Sequence, residues 1–204
     1  LLPKLIISVI LKTMALIIGI IAKKGAGKGL FVKIAQKLLP RHKIASIRYS
    51  DIPREILAIL NKEVSRENMQ TLSTALRNAF NDEGVFNATV KKRLQNTEAG
   101  IVILDGVRKK EEAEVVKELD GTLIYITADP KVRFDRRQKE AENSDEIAVS
   151  LEQFQKQELA ETEISIKDIG EKMADAVIEN NGTLEEFENK IQDFLEKKII
   201  PRLN

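Results

Sequence analysis

The amino-acid sequence predicts an α/β protein built on a parallel sheet. Three observations carry that reading: short unbroken apolar runs rich in β-branched residues, helical stretches with one apolar face between them, and a glycine-rich turn where the first run meets the first helix. Strand and helix alternating at this spacing make βαβ units, whose right-handed crossovers belong to a parallel sheet.

Residues 16–21 form an isoleucine-rich run that ends in the glycine turn, as a buried parallel strand does. Residues 28–39 follow as a helix, with Leu30, Ile34 and Leu38 on one face and Pro40 ending it. Residues 44–49 read as the second strand; Ser50, Asp51 and Pro53 then open a helix to about residue 60. Residues 66–80 carry Met69, Leu72, Leu76, Ala79 and Phe80 at helical spacing, which predicts an amphipathic helix packed against something, and 90–94 continue helical. The third strand, 101–104, stops at Asp105 and Gly106; a helix over 111–119 and a β-branched strand over 122–128 follow. A helix starts at Pro130 and runs to about residue 137, and 138–173 is long, highly charged and mostly helical, with little to bury, so it reads as a mobile flap. Residues 176–178 make the last strand. Thr183 and Glu186 form a capping box for a closing helix whose Leu184, Phe187, Ile191, Phe194 and Leu195 face the core.

A chain of 204 residues has room for one compact domain and a full sheet. Lys plus Arg number 33 against 32 Asp plus Glu, so net charge recruits neither nucleic acid nor an acidic membrane, and any anion site is local. The absence of cysteine excludes a disulfide framework, a thiolate zinc site and a cysteine nucleophile. Residues 1–22 are strongly apolar, but Lys4 and Lys12 break them into pieces too short to cross a bilayer, and Lys23 and Lys24 follow at once. The expected location is therefore the cytoplasm. Met14 begins the stretch that reads as the start of a single domain over 14–204, leaving 1–13 as an extension of unknown role.

The glycine turn is AKKGAGKG, residues 22–29. Gly25, Gly27 and Gly29 permit backbone conformations that let successive N–H groups converge on phosphate oxygens at a helix N-terminus, with Lys28 reaching the β- and γ-phosphates. Strand before, lysine in place and helix after are the context that confirms a P-loop, and they make Lys24, Gly25, Ala26, Gly27, Lys28, Gly29 and Leu30 candidates for nucleotide contacts. Two positions depart from the standard pattern. Ala22 stands for its first glycine, and Gly29 stands where a Ser or Thr hydroxyl normally binds Mg²⁺. Magnesium would then be held by nucleotide oxygens, water and carboxylates.

DGVR, residues 105–108, ends the third strand. Ligands in open α/β sheets bind at the carboxyl ends of strands, so Asp105 is a natural magnesium group acting through water and Arg108 a natural clamp for an acceptor phosphate; a plain turn with a surface arginine is the alternative. Arg133, Arg136 and Arg137 share one helix face, where like charges repel by about 0.2–0.5 kcal/mol per pair unless an anion lies between them. Arg133 and Arg137 are the candidate lid arginines for phosphoryl transfer, against a solvated helix paired with Glu140 and Glu142. Arg66 and Arg77 lie eleven positions apart on one helical stripe, separated by about 16 Å, which suits opposite ends of a nucleotide or two ordinary surface charges. Asp51 either orients an acceptor group or caps a helix.

Together KKGAGKG, SRENMQTLSTALR, ILDGVR, RFDRR and ADAVIENNGTLEEF resemble the P-loop nucleoside and deoxynucleoside monophosphate kinases, their relative dephospho-CoA kinase, and adenylate-kinase-like proteins, over residues 16 to about 195. The resemblance implies a three-layer P-loop NTPase fold with a mainly parallel five-stranded sheet, ATP with Mg²⁺, and a helical lid over about 131–172. It also nominates Asn180 and Gly182, in the loop after the last strand, for the ATP base. The activity it implies is direct transfer of the γ-phosphoryl group of ATP to a small phosphate-bearing acceptor, first a (deoxy)nucleoside monophosphate, without a covalent intermediate. Its catalytic set is Lys28, Arg133, Arg137 and Asp105; its acceptor set is Asp51, Arg66, Arg77 and Arg108. The protein is expected to act as a monomer or homodimer on small molecules, without nucleic acid or membrane. A dephospho-CoA acceptor is the alternative from the NNGTLEEF end, and a nucleotide-binding regulatory module without transfer is the alternative from the missing P-loop hydroxyl.

Overall fold

A computed structural model describes residues 15–142, 150–159 and 161–203. The expected extension 1–13, and residues 143–149 and 160 of the expected lid, lie outside the described residues.

Five strands form one sheet in the order β2-β3-β1-β4-β5, with every neighbouring pair parallel: β1 (Leu16–Ala22), β2 (Ile44–Arg48), β3 (Ile101–Val107), β4 (Thr122–Thr127) and β5 (Ala176–Glu179). Side chains alternate across the pleat, so each strand feeds both faces. Ile18, Ile20, Ile101, Ile103, Ile124 and Ile126 pack on one face against Phe31 and Ile34 of α1 (Lys28–Leu38) and Phe187, Ile191 and Phe194 of α9 (Leu184–Phe194). Ile17, Ile21, Val102, Leu104, Leu123 and Tyr125 pack on the other, against Val90 of α4 (Asn87–Gln95), Ala113 and Val116 of α5 (Lys110–Glu118), and Ile166 and Ile169 of α8 (Glu161–Met173). These are the three layers the sequence predicts. Each fully buried Ile or Phe contributes about 1.5–3 kcal/mol of apolar transfer, which explains why residues 16–22, 101–104 and 123–126 include no charged side chain.

α1 leaves β1 on one face of the sheet, and α5 leaves β3 on the other. Adjacent strands whose crossovers depart to opposite faces open a crevice at their carboxyl ends. That crevice is roofed by α2 (Asp51–Ile59) and α3 (Arg66–Phe80). α3 keeps the expected span but buries no residue: Leu72 and Leu76 are half-buried and Phe80 is 68% exposed, because the helix covers an open cleft and not a core.

The charged stretch beyond α6 (Pro130–Glu142) contains α7 (Leu151–Glu158) and α8. Here the expectation of little to bury fails. Phe154 is 3% exposed, and Ile166 and Ile169 close the second core against β1 and β4. Spacing of i and i+3 puts both isoleucines on one face, which the surrounding charge conceals. The Thr183–Glu186 capping box forms as expected, with Thr183 Oγ1 accepting the Glu186 N–H and the Glu186 carboxylate accepting the Thr183 N–H. Among the described residues no helix is long and apolar enough to cross a membrane.

Candidate active site

β1 ends at Ala22 and delivers the chain into the glycine loop. Gly25 and Gly27 take left-handed φ values of 81° and 113°, and α1 starts at Lys28 with Gly27 as its N-cap. No side chain caps that helix and no acidic residue occupies its first turn, so its leading N–H groups and the positive end of its dipole point at an anion position. Ala26 is wholly buried, and its carbonyl accepts a hydrogen bond from Asn180 Nδ2 at 2.9 Å. Asn180 Oδ1 accepts in turn from Arg136 Nη2 at 3.1 Å, while the Asn180 N–H reaches Thr127 O at 2.8 Å. The side chain expected at the ATP base is therefore committed to bracing the loop, and it ties α6 to that loop. Gly182 lies exposed just before the Thr183 cap.

The end of β3 departs from regular pairing. Ile20 pairs with Asp105 but Ile21 pairs with Val107, leaving Gly106 as a bulge at φ 84°. The bulge reverses the strand's parity: Val107 packs with Val102 and Leu104, although odd-numbered Ile101 and Ile103 face the opposite layer. Bulges re-aim side chains beside functional sites in this way. The shifted phase returns residue 108 to the side of residue 105, and both Asp105 and Arg108 line the cleft.

The cleft has a volume of about 680 Å³. Lys24 and Lys28 of the loop, Asp105 and Arg108 of β3's end, and Arg66 and Arg77 of α3 all line it, so the structure brings these six candidates together. Asp51 is not on the wall. It stands in the first turn of α2, its Oδ1 accepting from Arg54 Nη1 at 3.1 Å, and Arg54 lines the cleft instead. Arg133 and Arg137 do not line it either. They are 3% and 8% exposed, their guanidinium groups lie 5.5 and 5.8 Å from the Phe154 ring, and Arg133 Nε donates to Ala128 O at 2.9 Å.

Sequence reasoning missed Arg48, Tyr49, Phe86, Lys109 and Glu112, all on the cleft wall. Glu112 had a detectable signal, for it shares the helical stripe of Val115 and Val116, where a charge is out of place. Its Oε2 accepts the backbone N–H groups of Arg108 at 2.8 Å and Lys109 at 3.3 Å, and its Oε1 lies 3.6 Å from Arg77 Nη2. Burial pushes its carboxyl above the usual range, against those donors and Arg77. Burial also pushes the Tyr49 phenol up, with the Glu112 charge adding to the effect.

The donor set fits a divalent cation that arrives with a nucleotide and is reached through water. Asp105 Oδ1 is buried without a hydrogen-bond partner, and buried polar atoms normally have one. A Cβ on Gly29 would meet nothing within 4 Å, so the missing hydroxyl is not a matter of space. Among the described residues no group of three or more His, Cys, Asp or Glu could hold a metal by itself.

A relative from Sulfurisphaera tokodaii, described as a UPF0200 protein, is 31% identical over 182 residues, covering 89% of this chain and 96% of its own length. The chain belongs to the UPF0200 family. A second UPF0200 protein, from Thermococcus onnurineus, is 29% identical over 187 residues, covering 89% of this chain and 97% of that protein. No protein-family model matches the chain. Among solved structures, the shikimate kinases of Acinetobacter baumannii, in complex with shikimate, and of Bacteroides thetaiotaomicron each superpose with a TM-score of 0.51 at 16% identity. They cover 94% and 89% of this chain and 99% and 96% of their own. At that identity the likeness carries the fold: this UPF0200 protein has a P-loop kinase-like α/β fold.

Proposed function

We propose that this protein transfers the γ-phosphoryl group of ATP to a small phosphate-bearing acceptor, most simply a nucleoside or deoxynucleoside monophosphate. The observation that carries the reading is the meeting of Lys28, Asp105, Arg108, Arg66 and Arg77 on one cleft wall. Lys24, Arg48, Arg54 and Lys109 join them, against only Asp105 and Glu112 of opposite sign, which suits an acceptor that is itself anionic.

In this reading the N–H groups after Gly25 and Lys28 bind the β- and γ-phosphates, and the ATP triphosphate lies along the N-terminus of α1. Arg108 and Arg66 hold the acceptor phosphate, one of whose oxygens attacks the γ-phosphorus as the bond to the β–γ bridging oxygen breaks. ADP leaves, and no covalent enzyme intermediate forms. Lys28 neutralises charge on the oxygens of the moving group, where such a contact is strongest in a closed site. Asp105 is the residue that would hold a magnesium ion, through water, and the ion would supply charge neutralisation on the phosphates. Arg133 and Arg137 serve as lid arginines only if α6 and α7 part, since Phe154 of α7 packs on both guanidinium groups.

A second reading, nucleotide binding without transfer, draws on the hydroxyl absent at Gly29. Product formation from ATP and Mg²⁺ with a panel of monophosphates, dephospho-CoA and shikimate tests both, with Lys28→Ala as control. Transfer to one monophosphate, lost in the control with the fold intact, is the expected result. ATP binding with no transfer to any acceptor would favour the second reading.

A further inference from the structure

We infer that Glu112 is a positioning residue for the acceptor: its charge fixes the Arg77 guanidinium against the cleft wall while its second oxygen sets the turn that aims Arg108. This rests on reading the cleft as the acceptor site.

The two oxygens have different tasks. Oε2 closes the backbone N–H groups of Arg108 and Lys109 at the start of α5, a capping role that any side-chain oxygen can fill. Oε1 faces Arg77 Nη2 at 3.6 Å, too long for a good hydrogen bond and close enough for charge attraction in a poorly solvated place. Arg77 is held from two further sides. Its Nε donates to Glu83 O at 3.1 Å, and its guanidinium lies 5.4 Å from the centre of the Phe86 ring. Those contacts leave its side chain 15% exposed, on the wall of the cleft.

A carboxylate that is 3% exposed is expensive to keep, and a neutral residue of the same shape commonly serves stability as well or better. Glutamine at position 112 would retain an oxygen for both backbone donors. Capping therefore accounts for the shape of Glu112 but not for its charge. The charge is accounted for by Arg77: Glu83 holds its Nε, through the backbone oxygen and a carboxylate 3.9 Å away, and Glu112 fixes the Nη2 end. Holding one guanidinium in place before the ligand arrives removes that ordering from the binding step.

Glu112→Gln separates the two tasks in the full-length protein. AMP and dTMP are titrated as acceptor probes, and ATP separately, into wild type, Glu112→Gln, Arg77→Met and the double variant, with thermal denaturation of each at pH 7. The expected result is a Tm for Glu112→Gln equal to or above wild type, ATP affinity unchanged, and affinity for the better probe about tenfold weaker, equivalent to about 1.4 kcal/mol. The double variant should bind no more weakly than Arg77→Met, since both changes remove one device. Unchanged probe affinity in Glu112→Gln would overturn the inference, as would a parallel loss of Tm, ATP and probe binding, which marks a purely structural carboxylate. Wild type that binds neither probe would overturn it too, leaving Arg77 with no acceptor phosphate to serve. The titrations need no turnover, so they are read independently of whether phosphoryl transfer is found.

Discussion

Replacing each P-loop glycine by alanine separates backbone need from mere smallness. A Cβ on Gly27 would lie 2.5 Å from Asn180 Nδ2, and one on Gly25 would lie 2.8 Å from the Arg133 carbonyl oxygen; both positions also have left-handed φ. Gly29 has neither constraint, for a Cβ there meets nothing within 4 Å and its backbone is helical. At Gly25 and Gly27 the left-handed conformation costs about 1–2 kcal/mol and the forced contact about 1–3 kcal/mol, offset by about 0.4–1 kcal/mol from a stiffer unfolded chain. The net is about 1–5 kcal/mol of lost stability. At about 2–4 °C per kcal/mol for a chain of this size, Tm should fall by about 2–20 °C. Gly29→Ala should instead gain up to about 1 kcal/mol of helix propensity and raise Tm by about 2–4 °C. Scanning calorimetry with ATP titration reads both effects. Gly29→Ala as damaging as Gly27→Ala, or a harmless Gly27→Ala, would refute the packing of the loop against Asn180 and Arg133.

Three further outcomes follow from the same geometry. Burial raises the Glu112 carboxyl above its ordinary value of about 4.3, so between the two values the folded state keeps a proton that the unfolded chain has released. Stability from this group is complete below the unfolded value and is lost as pH rises through the folded one. The groups that face it are Arg77, Arg108, Lys109 and the Tyr49 phenol, which burial itself pushes up. Glu112→Gln should therefore gain on wild type as pH is raised from about 4 to 7, and a pH-independent difference in denaturation midpoints would contradict that. Asn180→Ala strips the Ala26 carbonyl and Arg136 of a buried partner, which should cost about 1–3 kcal/mol and weaken ATP binding in calorimetric titration; intact ATP affinity would show that the brace does not shape the loop. Thr183→Ala removes only a helix cap, so about 1 kcal/mol and a Tm drop of about 2–4 °C should come with unaltered ATP affinity.

The five strands and the closing helix were legible because their patterns are local: buried parallel strands are unbroken apolar runs, and the Thr183–Glu186 box announces its helix. The glycine loop between β1 and α1 was legible because its glycines and lysine lie within a few residues of one another. What resisted reading depends on distant neighbours. Phe154, Ile166 and Ile169 are three buried residues in a charged stretch, and local composition outweighed them. Arg133 and Arg137 share a face on the helix, yet nothing in that helix indicates that the face meets Phe154 of another element. Asn180 sits in the expected loop, but its side-chain hydrogen bonds to Ala26 and Arg136 reach residues 154 and 44 positions away. The parity reversal at Gly106 was equally hidden, since a bulge is defined by its partner strand.

The central claim is direct transfer from ATP to a phosphate-bearing acceptor at the Lys28 cleft. Phosphorus NMR of the protein with ATP, Mg²⁺ and each monophosphate in turn tests it most directly. The expected result is a new diphosphate from one acceptor, appearing in step with ADP, without inorganic phosphate, and absent with Lys28→Ala. Inorganic phosphate as the sole product, or the same diphosphate formed undiminished by Lys28→Ala, would contradict it.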